Sequence, residues 1–250
     1  MKAKILAFCN HKGGVGKTTS VLSIGSILAE RGYRVLLIDL DAQSNLTFSL
    51  SEIEEPEPNT YTALKQRGNL PQIEIAPKLF LSPSSLDLAA AESEMGGTIG
   101  RERALQKAIE PIRGSYDYIL IDCAPSLGLL LINALTAADK VYIPLSAESL
   151  PYKGLNSLES VIAQVQEYLN SSLQIGGIFF TRWGGRSLNK EVEQAARATY
   201  GDIILQAKVR ENIAIAEALL AKQSITAYAP KSNGAADYIA LTEEILRREQ

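Results

Sequence analysis

Residues 3–19 read A-K-I-L-A-F-C-N-H-K-G-G-V-G-K-T-T, an apolar run of strand length that passes without a break into a glycine-rich loop. A helical pattern over residues 17–31 follows, and Gly32 closes it. Strand, glycine loop and helix in that order aim backbone N–H groups at the positive end of a helix, where phosphate binds. Gly13, Gly14 and Gly16 let the main chain approach a phosphate without a Cβ in the way, and Val15 and Thr19 complete the cradle. Lys17 is placed to reach β- and γ-phosphates, and the Thr18 hydroxyl to hold Mg²⁺. The strict phosphate-loop pattern asks for glycine at position 11. Here His11 stands there, and a second lysine, Lys12, opens the loop.

Outward from the loop, short β-rich segments recur at residues 3–9, 34–39, 79–81, 116–122, 140–145 and 174–181. Most are continuous apolar runs, as expected of strands covered on both faces. Helical patterns fall between them at 17–31, 99–112, 127–137, 155–169 and 188–200. The alternation predicts an α/β fold, a doubly wound, mostly parallel sheet flanked by helices, in a single domain spanning 1–250. The acidic, proline-bearing stretch 51–59 reads as a surface loop within that domain. Residues 235–250 read as an amphipathic helix, with Ile239, Leu241, Ile245 and Leu246 inward and Glu243, Glu244, Arg247 and Arg248 outward.

Composition narrows the class. With 250 residues, 46% hydrophobic and 21% charged, the chain is neither collagen-like, disordered nor a coiled-coil rod. Its 25 Lys plus Arg against 28 Asp plus Glu give a net charge of -3, which excludes a globally basic nucleic-acid protein but not a local basic patch. Cys9 and Cys123 cannot build a disulfide framework and suggest a reducing compartment. No apolar run approaches the ~20 residues of a membrane span, and residues 1–8 are too short for a signal peptide. A cytoplasmic location is expected.

Two further strands end in acids. Residues 34–43, R-V-L-L-I-D-L-D-A-Q, place Asp39 and Asp41 at the end of a buried strand, beside the phosphate loop in a sheet of this kind. A carboxylate there can orient a water for in-line attack on a γ-phosphate. Residues 116–128, Y-D-Y-I-L-I-D-C-A-P-S-L-G, end an apolar strand in Asp122, the arrangement that contacts Mg²⁺ directly or through water.

Taken together, K-G-G-V-G-K-T-T, the Asp39–Asp41 strand and the Asp122 strand resemble the ParA/MinD family of P-loop NTPases with a deviant Walker A motif. The resemblance implies ATP and Mg²⁺ as cofactors, and a homodimer when ATP is bound. It implies that Lys12 crosses to the partner's nucleotide and that Lys17 serves its own. It assigns water positioning mainly to Asp41, sets Asp39 in the second shell of a metal site shared with Thr18 and Asp122, and leaves the division between the two acids open. Residues 140–155 resemble a stretch leading into a dimer-facing helix, with Glu148 and Lys153 as candidates. Residues 178–186, I-F-F-T-R-W-G-G-R, resemble the approach to the adenine, which makes Thr181, Arg182 and Arg210 candidate base contacts. Residues 229–238 resemble the family's C-terminal motif; residues 51–80 match poorly.

Within the family, the tail lacks large apolar residues after Leu246, which disfavours a MinD-like membrane-surface ATPase. Cys9 and Cys123 lie in or at the ends of strands rather than where a cluster would bridge subunits. Ten scattered tyrosines do not form a kinase's terminal cluster. The ParA branch remains: an ATP dimer that binds nonspecific DNA on the nucleoid and is released when a cargo adaptor, ParB-like or organelle-borne, stimulates hydrolysis. Its cargo would be a plasmid or chromosome; the alternative is a protein cargo such as carboxysomes. A remoter rival is an amide-forming ligase on the same fold. Candidate DNA contacts are Arg182, Arg186, Lys190, Arg197, Lys208, Arg210, Lys222, Lys231, Arg247 and Arg248. In chromosomal relatives P-R-x-V-R-L-x-E-A precedes the C-terminal motif; here Glu211 and Ala214 replace its two arginines. His11, the only histidine, has no partners for a metal site. Trp183 is expected on a loop, in ordinary packing.

Overall fold

The computed structural model describes residues 2–147 and 152–249. Eight strands form one sheet: β1 (Lys4–Phe8), β2 (Val35–Leu40), β3 (Ile73–Ala76), β4 (Leu79–Ser82), β5 (Tyr118–Cys123), β6 (Lys140–Ser146), β7 (Gln174–Trp183) and β8 (Ile204–Arg210). Their spatial order is β3-β4-β2-β5-β1-β6-β7-β8, and only β3 runs antiparallel to its neighbour. The α/β, doubly wound, mostly parallel sheet expected from the alternation is the one observed. β1 sits centrally, with β5 on one side and β6 on the other. Chain order diverges there, which opens the crevice at the strands' C-terminal ends where ligands of such sheets bind.

The helices are α1 (Lys17–Glu30), α2 (Asn45–Leu50), α3 (Thr60–Gln66), α4 (Ala91–Glu94), α5 (Ala104–Ile109), α6 (Leu129–Ala137), α7 (Tyr152–Tyr168), α8 (Ser187–Tyr200), α9 (Ile213–Leu220), α10 (Ile225–Tyr228) and α11 (Asn233–Arg248). They cover both faces of the sheet, so two cores flank it. One joins Ile38, Ile121 and Ile143 to Leu105, Leu135 and Leu158. The other joins Leu37, Leu120 and Phe179 to Leu22, Ile24, Tyr238 and Leu241. Successive strand residues point to opposite faces and both faces are dry, which is why β2 and β5 are buried at every position.

Several sequence expectations need correction. The helix expected over residues 99–112 is a 3₁₀ turn at Arg101–Arg103 followed by the short α5, and Ile99 is 92% exposed. Gly100, at φ 71, turns the chain into it. Two strands carried no signal: β3 is a four-residue edge strand with alternating exposure, and β8 is an edge strand mixing Gln206, Lys208 and Arg210 with its apolar residues. Glu244, expected outward, is buried and accepts the N–H groups of Gln206 and Ala207 on β8. Asp237 likewise accepts the Arg210 N–H at 2.9 Å. Trp183 ends β7 rather than lying on a loop. Its ring packs 5.8 Å from Phe180, with the Lys208 ammonium 4.2 Å from its centre. The 51–59 stretch is irregular and largely exposed, although Pro56 and Asn59 are buried within it. Cys9 and Cys123 are buried free thiols, 3.1 Å apart across the β1–β5 pair.

Candidate functional site

Asn10 starts the loop that follows β1. It is buried, its amide donates to the Pro144 carbonyl at 2.7 Å, and its Oδ1 accepts Lys12 N–H at 2.9 Å. The loop is thereby pinned to β6 at its root. Gly16 takes φ 85, a left-handed conformation that an L side chain rarely adopts, and from it α1 begins. No side chain caps α1 and no acid lies in its first turn. Its first N–H groups and positive end are therefore turned to the loop without an internal anion, which suits a phosphate.

Lys17 is only 7% exposed, and its ammonium donates to the Lys12 carbonyl at 3.2 Å across the loop. Lys12, Gly13 and Gly14 face solvent, whereas Val15 is buried. Thr18 and Thr19 follow on the first turn of α1, half-buried. Thr181 of β7 donates its hydroxyl to the Val15 carbonyl at 2.9 Å, so β7 braces the loop from the side opposite β5. Arg182 lies above it: a Cβ on Gly14 would stand 3.9 Å from the guanidinium.

Register brings the acids together. Phe8 opposes Asp122 across β1 and β5, and Asp39 opposes Asp122 across β2 and β5. Asp39 and Asp122 are almost wholly buried. Burial, as the main cause, pushes the Asp39 carboxyl up to about 6, against hydrogen bonds from Thr47 and Asp41 that pull it down. Asp122 is pushed well up by burial and then by the Asp39 charge, with Thr18 and Lys17 opposing. The two acids differ in what holds them. Asp39 Oδ1 accepts Asp41 N–H at 3.2 Å, and Oδ2 accepts the Thr47 N–H and hydroxyl at 2.9 and 2.7 Å. Neither oxygen of Asp122 meets a donor in good hydrogen-bond geometry, although the Thr18 hydroxyl lies close enough to draw its carboxyl down. A buried carboxylate left without donors is costly unless a cation meets it. Together with the Thr18 hydroxyl beside it, Asp122 therefore fits a Mg²⁺ ligand. Asp39, with both oxygens occupied, fits a place behind the metal. Asp41 lies past the end of β2, half-exposed, its Oδ1 accepting Gln43 N–H at 3.0 Å.

Beyond Arg182, a cavity of about 450 Å³ is lined by Trp183, Gly184, Gly185, Arg186, Arg210, Glu211 and Asn233. Arg210, opposite Trp183 in the β7–β8 register, is clamped by Asp237 through Nε and a terminal nitrogen at 2.9 and 2.7 Å. Asn189, not singled out from sequence, shapes this wall. It is buried, accepts the Gly184 and Arg186 N–H groups, and donates to the Ala147 carbonyl. A buried Asn three residues past Arg186 in a helix's first turn is a capping signal that could have found it. Thr47 and Ser84, also missed, bond to each other across 37 positions.

The candidate DNA contacts divide. Arg197 and Lys208 both pair with Glu193, Arg210 pairs with Asp237, Lys222 with Glu52, and Arg248 donates to the Gly176 and Asp202 carbonyls. Arg182, Arg186 and Lys190 are exposed along one loop and helix start; Lys231 and Arg247 are exposed elsewhere. Glu148 and the Lys153 side chain lie outside the described residues. His11 is half-buried, with Nδ1 unpartnered. Among the described residues no cluster of three or more potential ligands could hold a metal through His, Cys, Asp and Glu alone.

A family model described as an AAA domain matches residues 3–175. The sporulation initiation inhibitor protein Soj of Bacillus subtilis is 39% identical over 97% of this chain and 98% of its own. The chromosome partitioning protein ParA of Caulobacter vibrioides is 38% identical over 99% of this chain and 95% of its own. Among solved structures, a cobyrinic acid a,c-diamide synthase from Mycobacterium smegmatis with bound ADP and magnesium superposes with a TM-score of 0.87. It is 33% identical and covers 99% of this chain and 95% of its own.

Proposed function

The chain belongs to the ParA/Soj family of ATPases, and on that premise we propose that it is a partition or positioning ATPase that cycles between an ATP-bound dimer on nonspecific DNA and a released, ADP-bound form. Its cofactors are ATP and Mg²⁺. The observation that carries the reading is the phosphate loop, with Lys17 buried and Lys12 exposed, beside the buried Asp122 whose charge Thr18 and Lys17 support. When bound, Mg²⁺ would supply charge neutralisation at the reacting phosphates. Thr18 and Asp122 would hold it. Lys17 and the α1 N–H groups bind the phosphates of the chain's own nucleotide, and exposed Lys12 reaches the partner's. Asp41 accepts a hydrogen bond from the attacking water and orients it. Thr181, Arg182 and Arg210 lie along the path to the base.

The DNA-facing surface is proposed to centre on Arg182, Arg186 and Lys190, with Ala214 and Glu211 weakening the contact relative to chromosomal relatives. The cargo is a plasmid or chromosome reached through a ParB-like adaptor, or a protein assembly reached through its own adaptor, and the protein works in the cytoplasm on the nucleoid. Packing of α11 supports a protein that does not use its tail on membranes: Ile245 is buried, Lys140 pairs with Glu249, and Arg248 is tied to two carbonyls. No described helix is long and apolar enough to cross a membrane.

One observation favours a second reading, an amide-forming ligase: the likeness to the diamide synthase spans nearly the whole chain. Nitrogen supply from glutamine by a cysteine nucleophile is disfavoured, since Cys9 and Cys123 are at most 1% exposed and burial pushes the Cys123 thiol well up. The test is binding to a random-sequence DNA fragment with ATP, with ADP and with neither, at two salt concentrations. Binding confined to ATP and weakened by salt is expected. Absence of binding in all three states would overturn the DNA-track reading.

A further inference from the structure

Asp41 contributes the chemistry assigned to it only if its carboxylate is held still, and the structure closes a ring of hydrogen bonds around its main chain. Asp39 Oδ1 accepts Asp41 N–H at 3.2 Å. Asp39 Oδ2 accepts the Thr47 hydroxyl at 2.7 Å. The Thr47 oxygen in turn accepts Ser84 N–H at 2.9 Å, and the Ser84 hydroxyl donates to the Asp41 carbonyl at 2.8 Å. The circuit runs through the end of β2, through α2, through the segment after β4, and back to Asp41. Asp39, Thr47 and Ser84 are each at most 2% exposed, so none of these three has water to replace a lost partner.

We propose that Thr47 and Ser84 are positioning residues for Asp41, fixing the peptide units on both sides of its Cα so that the carboxylate meets the attacking water. The inference rests on the reading of Asp41 as the water-orienting group. Both peptide groups of Asp41 are clamped, its N–H by Asp39 and its C=O by Ser84. The carbonyl takes a second bond, from Ser44 N–H at 2.9 Å. The side chain is then fixed by one bond, Gln43 N–H to Oδ1. Among the described residues none hydrogen-bonds Oδ2, the oxygen that would face the water. Among the described residues, Ser84 makes no hydrogen bond to the phosphate loop or to Asp122. Its loss leaves nucleotide and Mg²⁺ binding in place while loosening Asp41, and small misplacements of a catalytic group cost on the order of 10²-fold in rate.

The test uses the full chain. Single-turnover ATP hydrolysis and the affinity for a non-hydrolysable ATP analogue with Mg²⁺ are measured for Ser84→Ala, Ser84→Thr, Thr47→Val and Thr47→Ser, with Asp41→Ala as reference. Expected is a rate loss of about 10-fold or more in Ser84→Ala and Thr47→Val, analogue affinity within about 2-fold of the parent, and recovery in the two variants that keep a hydroxyl. Asp41→Ala should be inactive and hold its ATP. Wild-type hydrolysis in Ser84→Ala beside an inactive Asp41→Ala overturns the positioning role alone. Normal hydrolysis in Asp41→Ala overturns the reading beneath it, and the inference falls with it. A loss of analogue affinity matching the loss of rate, or no recovery on restoring the hydroxyl, assigns the two residues to folding only and likewise overturns the inference.

Discussion

Lys12 and Lys17 share one loop, yet the fold treats them differently. Lys17 is buried against the loop's own carbonyl, whereas Lys12 faces solvent at the loop's mouth. A charge that serves only its own chain gains from burial near its ligand; one that reaches another chain must be outside. Lys12→Ala should therefore bind ATP as a monomer within a few-fold of the parent but fail to form the ATP dimer, read by sedimentation velocity with and without ATP. A Lys12→Ala protein that dimerises like the parent would remove the crossing role. At this scale much of the site was legible: Lys17, Thr18 and Asp122 are each named by a strand-loop or strand-end context within a few residues. Thr47, Ser84 and Asn189 were not. Thr47 and Ser84 bond to each other across 37 positions and Ser84 to Asp41 across 43, and a lone hydroxyl in a sequence carries no mark of what it will meet.

At the scale of elements, legibility follows burial. The central strands β1, β2, β5 and β6 read clearly because both faces are dry and the apolar run is unbroken. β3 and β8 did not, because edge strands have polar neighbours and mix their residues accordingly. Packing between β6 and β7 yields a prediction. A Cβ on Gly176 would lie 2.7 Å from the Tyr142 ring, and that ring is fully buried with its hydroxyl bonded to Glu249 at 2.7 Å. The ring is held at both ends and cannot swing aside. Gly176→Ala should cost about 1–3 kcal/mol by overpacking, seen as a lower urea midpoint with unchanged slope. Gly68→Ala, with nothing within 4 Å of its Cβ, serves as the comparison and should lose far less.

For the whole molecule, the phosphate loop, Asp39 and Asp122 sit on three adjacent central strands, so ligand contacts there are coupled to the sheet on which both cores rest. Binding to the folded state alone stabilises it by about 2.7 kcal/mol at a hundredfold excess over Kd. At roughly 2–4 °C per kcal/mol for a chain of this size, saturating ATP with Mg²⁺ should raise Tm by about 5–10 °C. Chelation of Mg²⁺ or Asp122→Ala should remove most of that rise; an equal rise in Asp122→Ala would take Asp122 out of the metal site. The sheet's outer border carries one more consequence. On β8, the carboxylates of Glu244 and Asp237 occupy the N–H groups of Gln206, Ala207 and Arg210, groups that would otherwise offer a template to an extended strand from another molecule. Strand addition by another copy at that border is thereby opposed. The last helix thus doubles as a cover for the sheet's outer border.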